Sequence, residues 1–270
     1  MKLTQLAPFT YAIGSGKGGV GKSTVALNLA VALARYGLRV GLFDADIYGP
    51  SIPIMTGLRR LDPPIRTDAS GHEHVLPFTK FGISIMSLGF FIEEARSVTW
   101  RGPMLHGSLN KLITDVEWGE LDVLLIDLPP GTGDVPITLS QLLKINAAIV
   151  VTTPQEVAML DAIKAINTFN LLNIPLMGVI ENMAGFTIPE TGKTYHIFGQ
   201  GKALELAHRF NVPLLGSIPL IPDIRRGGDE GVPSAFHKGD NECGRYFDAI
   251  AANLTHQMQN KEVSHDAHRK

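Results

Sequence analysis

One short segment limits what this chain can fold into. Gly16-Lys17-Gly18-Gly19-Val20-Gly21-Lys22-Ser23 carries the spacing G-x-x-x-x-G-K-[ST], with Thr24 directly after it. An apolar run, Phe9–Ile13, precedes it, and an alanine- and leucine-rich run, Val25–Tyr36, follows. The order is strand, glycine loop, helix, which is the opening unit of a parallel α/β sheet. Glycines let backbone N–H groups converge on phosphate oxygens with no Cβ in the way. The helix beginning near Lys22 adds its positive N-terminal end at the same spot. Gly16, Lys17, Gly18, Gly19, Val20, Gly21, Lys22, Ser23 and Thr24 are therefore the candidate phosphate-binding residues. In such a loop Lys22 reaches the outer phosphates and the Ser23 hydroxyl coordinates magnesium. Without its flanks the same string would be only a flexible turn.

The rest of the chain alternates in the same way. Strands are expected at Phe9–Ser15, Arg39–Asp44, Val123–Asp127, Ala147–Thr152, Pro175–Asn182 and Val212–Ile218. Helices are expected at Lys22–Tyr36, Leu105–Trp118, Val135–Leu143, Val157–Phe169, Lys202–Phe210 and Gly244–Met258. The pattern predicts a mainly parallel, doubly wound α/β sheet with helices on both faces, a single P-loop NTPase domain. That domain spans 1–259, with a small loop or hairpin insertion at about 52–92 where Pro53, Pro63, Pro64 and Pro77 break the pattern. Residues 260–270 read as a polar, unstructured tail.

Composition narrows the function classes. The net charge is −2, so no global field draws in nucleic acid or acidic membranes. The lone cysteine, Cys243, rules out an intrachain disulfide framework and fits a reducing, cytoplasmic setting. The first residues lack a secretory h-region, and no uncharged apolar run is long enough to span a bilayer. In the last helix Phe247, Ile250, Leu254 and Met258 share one face, which predicts docking onto the body.

Three further segments carry chemistry. Val123-Leu124-Leu125-Ile126-Asp127 is a buried strand ending in a carboxylate, the arrangement in which Asp127 holds magnesium directly or through water. Leu128-Pro129-Pro130-Gly131-Thr132-Gly133-Asp134 then forms a shaped loop at the carboxyl end of the sheet, where ligands sit in such folds. Asp44-Ala45-Asp46 ends the second strand with two carboxylates on alternate sides; such a pair either closes a turn or divides its work, one acid ordering the magnesium shell and the other polarising the attacking water. Asn182, after a buried strand, either reads a base or caps its loop.

The second lysine of the loop, Lys17, makes the chain resemble the deviant Walker A ATPases of the MinD/ParA superfamily. The resemblance implies an ATP-dependent homodimer in which Lys17 meets nucleotide on the partner subunit. It also implies that Asp46 polarises the attacking water, and that Asn182 and Pro219 flank adenine. Phe43–Ser51, Trp100–Met104, Asp127–Asp134, Glu181–Met183 and Arg226–Gly231 narrow the match to the Mrp/ApbC branch, cytosolic ATPases that act as iron–sulfur cluster scaffolds or carriers. Iron–sulfur client or scaffold proteins are the partners that this branch implies. A C-x-x-C motif usually follows Glu-Asn-Met in that branch and binds a cluster between two subunits. Here Ile188 and Thr191 stand at the corresponding positions, and neither ligates iron. The expected cofactors are thus ATP and Mg2+, with an iron–sulfur cluster not expected on this chain alone. A second reading is a positioning or regulatory switch like MinD or ParA. It lacks a basic amphipathic tail for a membrane and a positive charge for DNA.

Overall fold

The computed structural model describes residues 3–91, 102–236 and 243–267. Strand β1 (Phe9–Gly14) leads through the glycine loop into α1 (Lys22–Arg35), as the spacing predicts. Next come β2 (Val40–Asp44), α2 (Ile52–Met55), β3 (Ile65–Thr67), β4 (Glu73–Val75), β5 (Phe78–Lys80), β6 (Ile83–Ser87) and α3 (Gly102–Thr114). The second half holds β7 (Val123–Asp127), α4 (Asp134–Leu142), β8 (Ala147–Thr152), α5 (Glu156–Leu171) and β9 (Leu176–Asn182). It ends with β10 (Phe186–Thr187), β11 (Thr194–Tyr195), α6 (Lys202–Arg209), β12 (Leu214–Ile218), α7 (Pro222–Glu230) and α8 (Gly244–Ala267).

The main sheet has the order β12-β9-β8-β1-β7-β2-β6-β5. Its neighbours are parallel except β5, which runs antiparallel to β6. Strands β7, β8 and β2 are buried along their whole length, which is why β7 and β8 read as nearly continuous Val, Ile, Leu and Ala runs. From β1 the chain crosses to β2 on one side, and from β7 it crosses back over β1 to β8 on the other. Right-handed crossovers in opposite directions put α1 on one face of the sheet and α4, α5 and α6 on the other. The sheet therefore reverses direction at β1, where the glycine loop begins, the place where such sheets bind ligands. α8 packs against α1, with Phe247, Ile250, Leu254 and Met258 buried.

Three features depart from the sequence reading. The 52–92 region is not wholly an insertion, because β6 pairs in parallel with β2 from Val40↔Ile83 to Asp44↔Ser87. Its five residues, flanked by turns, are too few to reveal the pairing partner. α8 continues past Met258 to Ala267, into the stretch read as a loose tail, since a helix docked along one face propagates through polar helix-formers. α7 has no buried residue and hence no apolar period to announce it. Trp100 and Arg101 of the Trp100–Met104 segment and residues 268–270 of the tail lie outside the described residues.

Candidate nucleotide site

The loop is shaped by close contacts on two sides. A Cβ on Gly16 would sit 2.0 Å from the Asp161 carbonyl carbon, so α5 backbone passes where only glycine fits. Gly21 has φ 81° and its Cβ would lie 2.2 Å from Asn182 Nδ2. Both conditions demand glycine. Gly21 is also the N-cap of α1 and offers no side-chain cap, which leaves the first N–H groups of a 14-residue helix to the loop. A cavity of about 250 Å³ opens there, with Lys17, Lys22, Ser23, Asp46, Met55 and Pro130 in its wall.

Register aligns the acids. Ile13 of β1 and Asp44 of β2 both pair with Asp127 of β7, so the carboxyl ends of the three strands are level. Lys22 reaches back from α1 to this line. Its Nζ is 2.6 Å from Asp127 Oδ1, 3.2 Å from Ser23 Oγ and 3.8 Å from Asp46 Oδ2. Lys22 is only 6% exposed, and Asp127 not at all. A buried charge of that kind persists only when paired. Burial raises the Asp127 pKa, and the Lys22 ammonium opposes the shift. Asp127 Oδ2 is buried with no hydrogen-bond partner.

Asp44 and Asp46 face different neighbours. Asp44 is fully buried; its Oδ1 accepts from Asp46 N at 3.1 Å, and its Oδ2 accepts from Ser87 Oγ at 2.9 Å and Ile52 N at 3.4 Å. Burial first, then the nearby Asp127 charge, pushes its pKa up to about 8. Asp46 Oδ1 accepts from Tyr48 N and Gly49 N at 3.1 and 3.2 Å, leaving Oδ2 turned to Lys22.

The remaining predicted residues are placed as follows. Lys17 Nζ donates to Gln155 Oε1 at 3.2 Å, at the start of α5, and also lines the cavity. Asn182 Nδ2 donates to Val20 O at 2.8 Å, so this amide braces the glycine loop. Ile218 pairs with Asn182 in register, which sets Pro219 beside it at the strand ends; neither Asn182 nor Pro219 lines the cavity. Ile188 and Thr191 sit in the turn joining β10 to β11, closed by Gly192 N donating to Ile188 O at 2.8 Å. Cys243 is buried at the start of α8. Ser87, Met55 and Gln155 are site neighbours that the sequence reading missed. Each is an ordinary residue with no motif, placed here by the fold.

The strand order, the reversal at β1 and a lysine returned from the loop to the β7 carboxylate make this protein a P-loop NTPase. Residues 8–255 match the ParA family model, described as NUBPL iron-transfer P-loop NTPase, and the chain belongs to that family. It is similar to an iron–sulfur cluster carrier protein of Aquifex aeolicus, 47% identical over 93% of this chain and 68% of the relative. It is also similar to an Arabidopsis thaliana iron–sulfur protein required for NADH dehydrogenase, mitochondrial, 42% identical over 90% of this chain and 76% of that protein. Among solved structures, a nucleotide-binding protein from Archaeoglobus fulgidus in complex with ADP superposes with TM-score 0.71 and 40% identity, covering 83% of this chain and 86% of that chain. The cell division ATPase MinD of Pyrococcus furiosus shares the fold at TM-score 0.65, with 22% identity over 92% of this chain and 99% of that chain. Among the described residues no helix is long and apolar enough to cross a membrane.

Proposed function

We propose that this protein binds ATP with magnesium and hydrolyses it slowly as a nucleotide-dependent homodimer, in the cytoplasm, in support of iron–sulfur protein assembly. The observation that carries the reading is the buried Lys22 ammonium, held at the glycine loop by Asp127 and facing Asp46. A phosphate chain on the loop would give that cation a second anionic partner.

The residues fit a magnesium ion. Asp127 Oδ2 is buried and unpartnered, and Ser23 Oγ lies beside the same lysine. Lys22 Nζ faces Asp127 Oδ1 at 2.6 Å and Asp46 Oδ2 at 3.8 Å, so two carboxylates share one ammonium. Among the described residues no three His, Cys, Asp or Glu side chains form a metal-holding group. Magnesium beside phosphate needs fewer, since it keeps waters and takes its other oxygens from the substrate. When bound, the ion would neutralise charge on the phosphate oxygens. Asp127 and Ser23 are the residues that would hold it.

In the proposed reaction Lys22 offsets charge on the outer phosphates, and Asp46 orients a water toward the terminal phosphorus. A bond forms from the water oxygen to that phosphorus and the bond to the β-phosphate oxygen breaks, giving ADP and inorganic phosphate. Lys17 meets nucleotide across the subunit interface, and Asn182 with Pro219 flanks the adenine.

The relatives named for iron–sulfur carriage support the process, while Ile188 and Thr191 supply no soft ligand. The iron–sulfur role therefore runs through client or scaffold proteins that bring their own cysteines. A membrane-bound switch is disfavoured because the apolar face of α8 is already buried against the body. The test is phosphate release by the full chain with ATP and magnesium, beside Asp46→Ala. Turnover in the parent and its loss in the variant support the reading; no release from the parent at any concentration overturns it.

A further inference from the structure

The mechanism needs Asp46 in one place, and the loop that carries it has no regular structure between β2 and α2. Its position is set from outside, by the end of β6. Ser87 is the last residue of β6 and is fully buried. Its hydroxyl donates to Asp44 Oδ2 at 2.9 Å and accepts from Gly89 N at 2.9 Å, so both of its directions are used. The same Asp44 carboxylate accepts from the backbone N–H of Asp46 at 3.1 Å and of Ile52 at 3.4 Å, holding the two ends of the loop.

A second contact presses on the middle of that loop. A Cβ on Gly89 would lie 2.7 Å from Pro50 Cβ and 3.1 Å from Ser87 Oγ, so the Leu88–Phe90 turn fits directly against Pro50. The turn itself is anchored, with Leu88 buried and the Phe90 ring 5.0 Å from Phe78 of β5. One short 3-10 turn thus touches the loop through a hydrogen bond at its start and a steric contact at its centre. The loop has two further fixed points, the Tyr48 and Gly49 N–H groups on Asp46 Oδ1.

We propose that Ser87 and Gly89 form a bracket that positions Asp46 for hydrolysis, acting through Asp44 and Pro50. This rests on the reading that Asp46 orients the attacking water. Neither residue faces the cavity, so both are positioning residues and affect turnover only through the loop. Small misplacements of a group that aligns reactants reduce rate far more than binding. Ser87 has no motif around it, and only the parallel pairing of β6 with β2 brings it to Asp44.

The test is a double-mutant cycle on the full chain, with kcat for phosphate release, ATP affinity by titration calorimetry and melting temperature read together. Ser87→Ala should lower kcat by about tenfold with ATP affinity changed less than about threefold, the pattern expected of a group that acts in the transition state. Ser87→Thr, which keeps the hydroxyl, should restore most of kcat. Gly89→Ala, which pushes on Pro50, should lower kcat in the same way. In the Asp46→Ala background, Ser87→Ala should cost nothing further, because the group it positions is gone. A role in stability alone would lower the melting temperature and leave kcat intact in folded protein, and that result overturns the proposal. So does a Ser87→Ala loss that multiplies with Asp46→Ala. Should Ser87→Ala fail to fold, Ser87→Thr and Gly89→Ala in both backgrounds decide the matter by the same criterion. If Asp46→Ala alone keeps full turnover, the reading of Asp46 falls and the bracket with it; if Asp46→Ala is inactive while Ser87→Ala and Gly89→Ala are normal, only the bracket falls.

Discussion

The Lys22 ammonium sits 2.6 Å from Asp127 Oδ1, joining the first turn of α1 to the last residue of β7. The glycine loop and the β7 carboxylate are thereby one electrostatic unit. Removing either partner leaves a buried charge uncompensated.

Lys22→Ala should therefore weaken ATP binding by roughly a hundredfold, the upper range for loss of a charge-assisted contact to phosphate. It also leaves Asp127 fully buried without its cation, so the apo protein should melt at a lower temperature. Titration calorimetry and a thermal scan check the two halves; unchanged affinity would refute the assignment.

Lys17 is distinguished from Lys22 by where it points. It donates to Gln155 at the start of α5, whereas Lys22 pairs with Asp127 and Asp46. Lys17→Ala should keep much of the monomer's ATP affinity but lose ATP-dependent dimerisation and turnover. Light-scattering mass with ATP and magnesium is the measurement. A parent that stays monomeric at micromolar concentration, or a variant that still dimerises, counts against the role.

Asp44 predicts a pH dependence of stability. Its folded pKa is about 8, above the ordinary 3.8, so between those values the folded protein holds a proton that the unfolded chain has released. Stability then falls as pH rises through that window, by up to about 1.4 kcal/mol per pH unit for a single proton. Burial raises Asp127 in the same direction, with Lys22 opposing it, so some slope persists without Asp44. Urea unfolding of magnesium-free protein at pH 5 to 8 should show the decline, and Asp44→Asn should flatten it. An identical slope in the variant would sink the prediction.

The turn at Ile188 and Thr191 predicts that the protein alone holds no stable [4Fe–4S] cluster between subunits. Such a cluster takes about four thiolates, and the one cysteine per chain is buried at α8. Iron and sulfide content after anaerobic reconstitution should be near background in the parent. The double variant Ile188→Cys, Thr191→Cys should acquire iron, because the hairpin turn brings both positions together through Thr191 N on Ile188 O at 3.3 Å. Cluster at full occupancy in the parent would overturn the ligand argument.

Elements whose identity depends on neighbouring residues are legible along the chain. The glycine loop, the β7 strand with Asp127 and the Asp44–Asp46 pair are local patterns, because loop backbone, helix start and strand burial are dictated within a few residues of one another. The parallel sheet followed from their alternation. Which of these groups touch depends on the folded arrangement. Lys22 meets Asp127, Asn182 braces Val20, Lys17 reaches Gln155 and Ser87 holds Asp44, each across a long stretch of chain. No spacing rule encodes such contacts, since they depend on strand order and register rather than on local period. β6 shows the difference most plainly. Its five residues among prolines and turns read as a hairpin appendage, but paired with β2 they become the neighbour of the Asp44–Asp46 loop. α7 packs only Ile224 against the core and fully buries no residue, so it offers no apolar period along the chain.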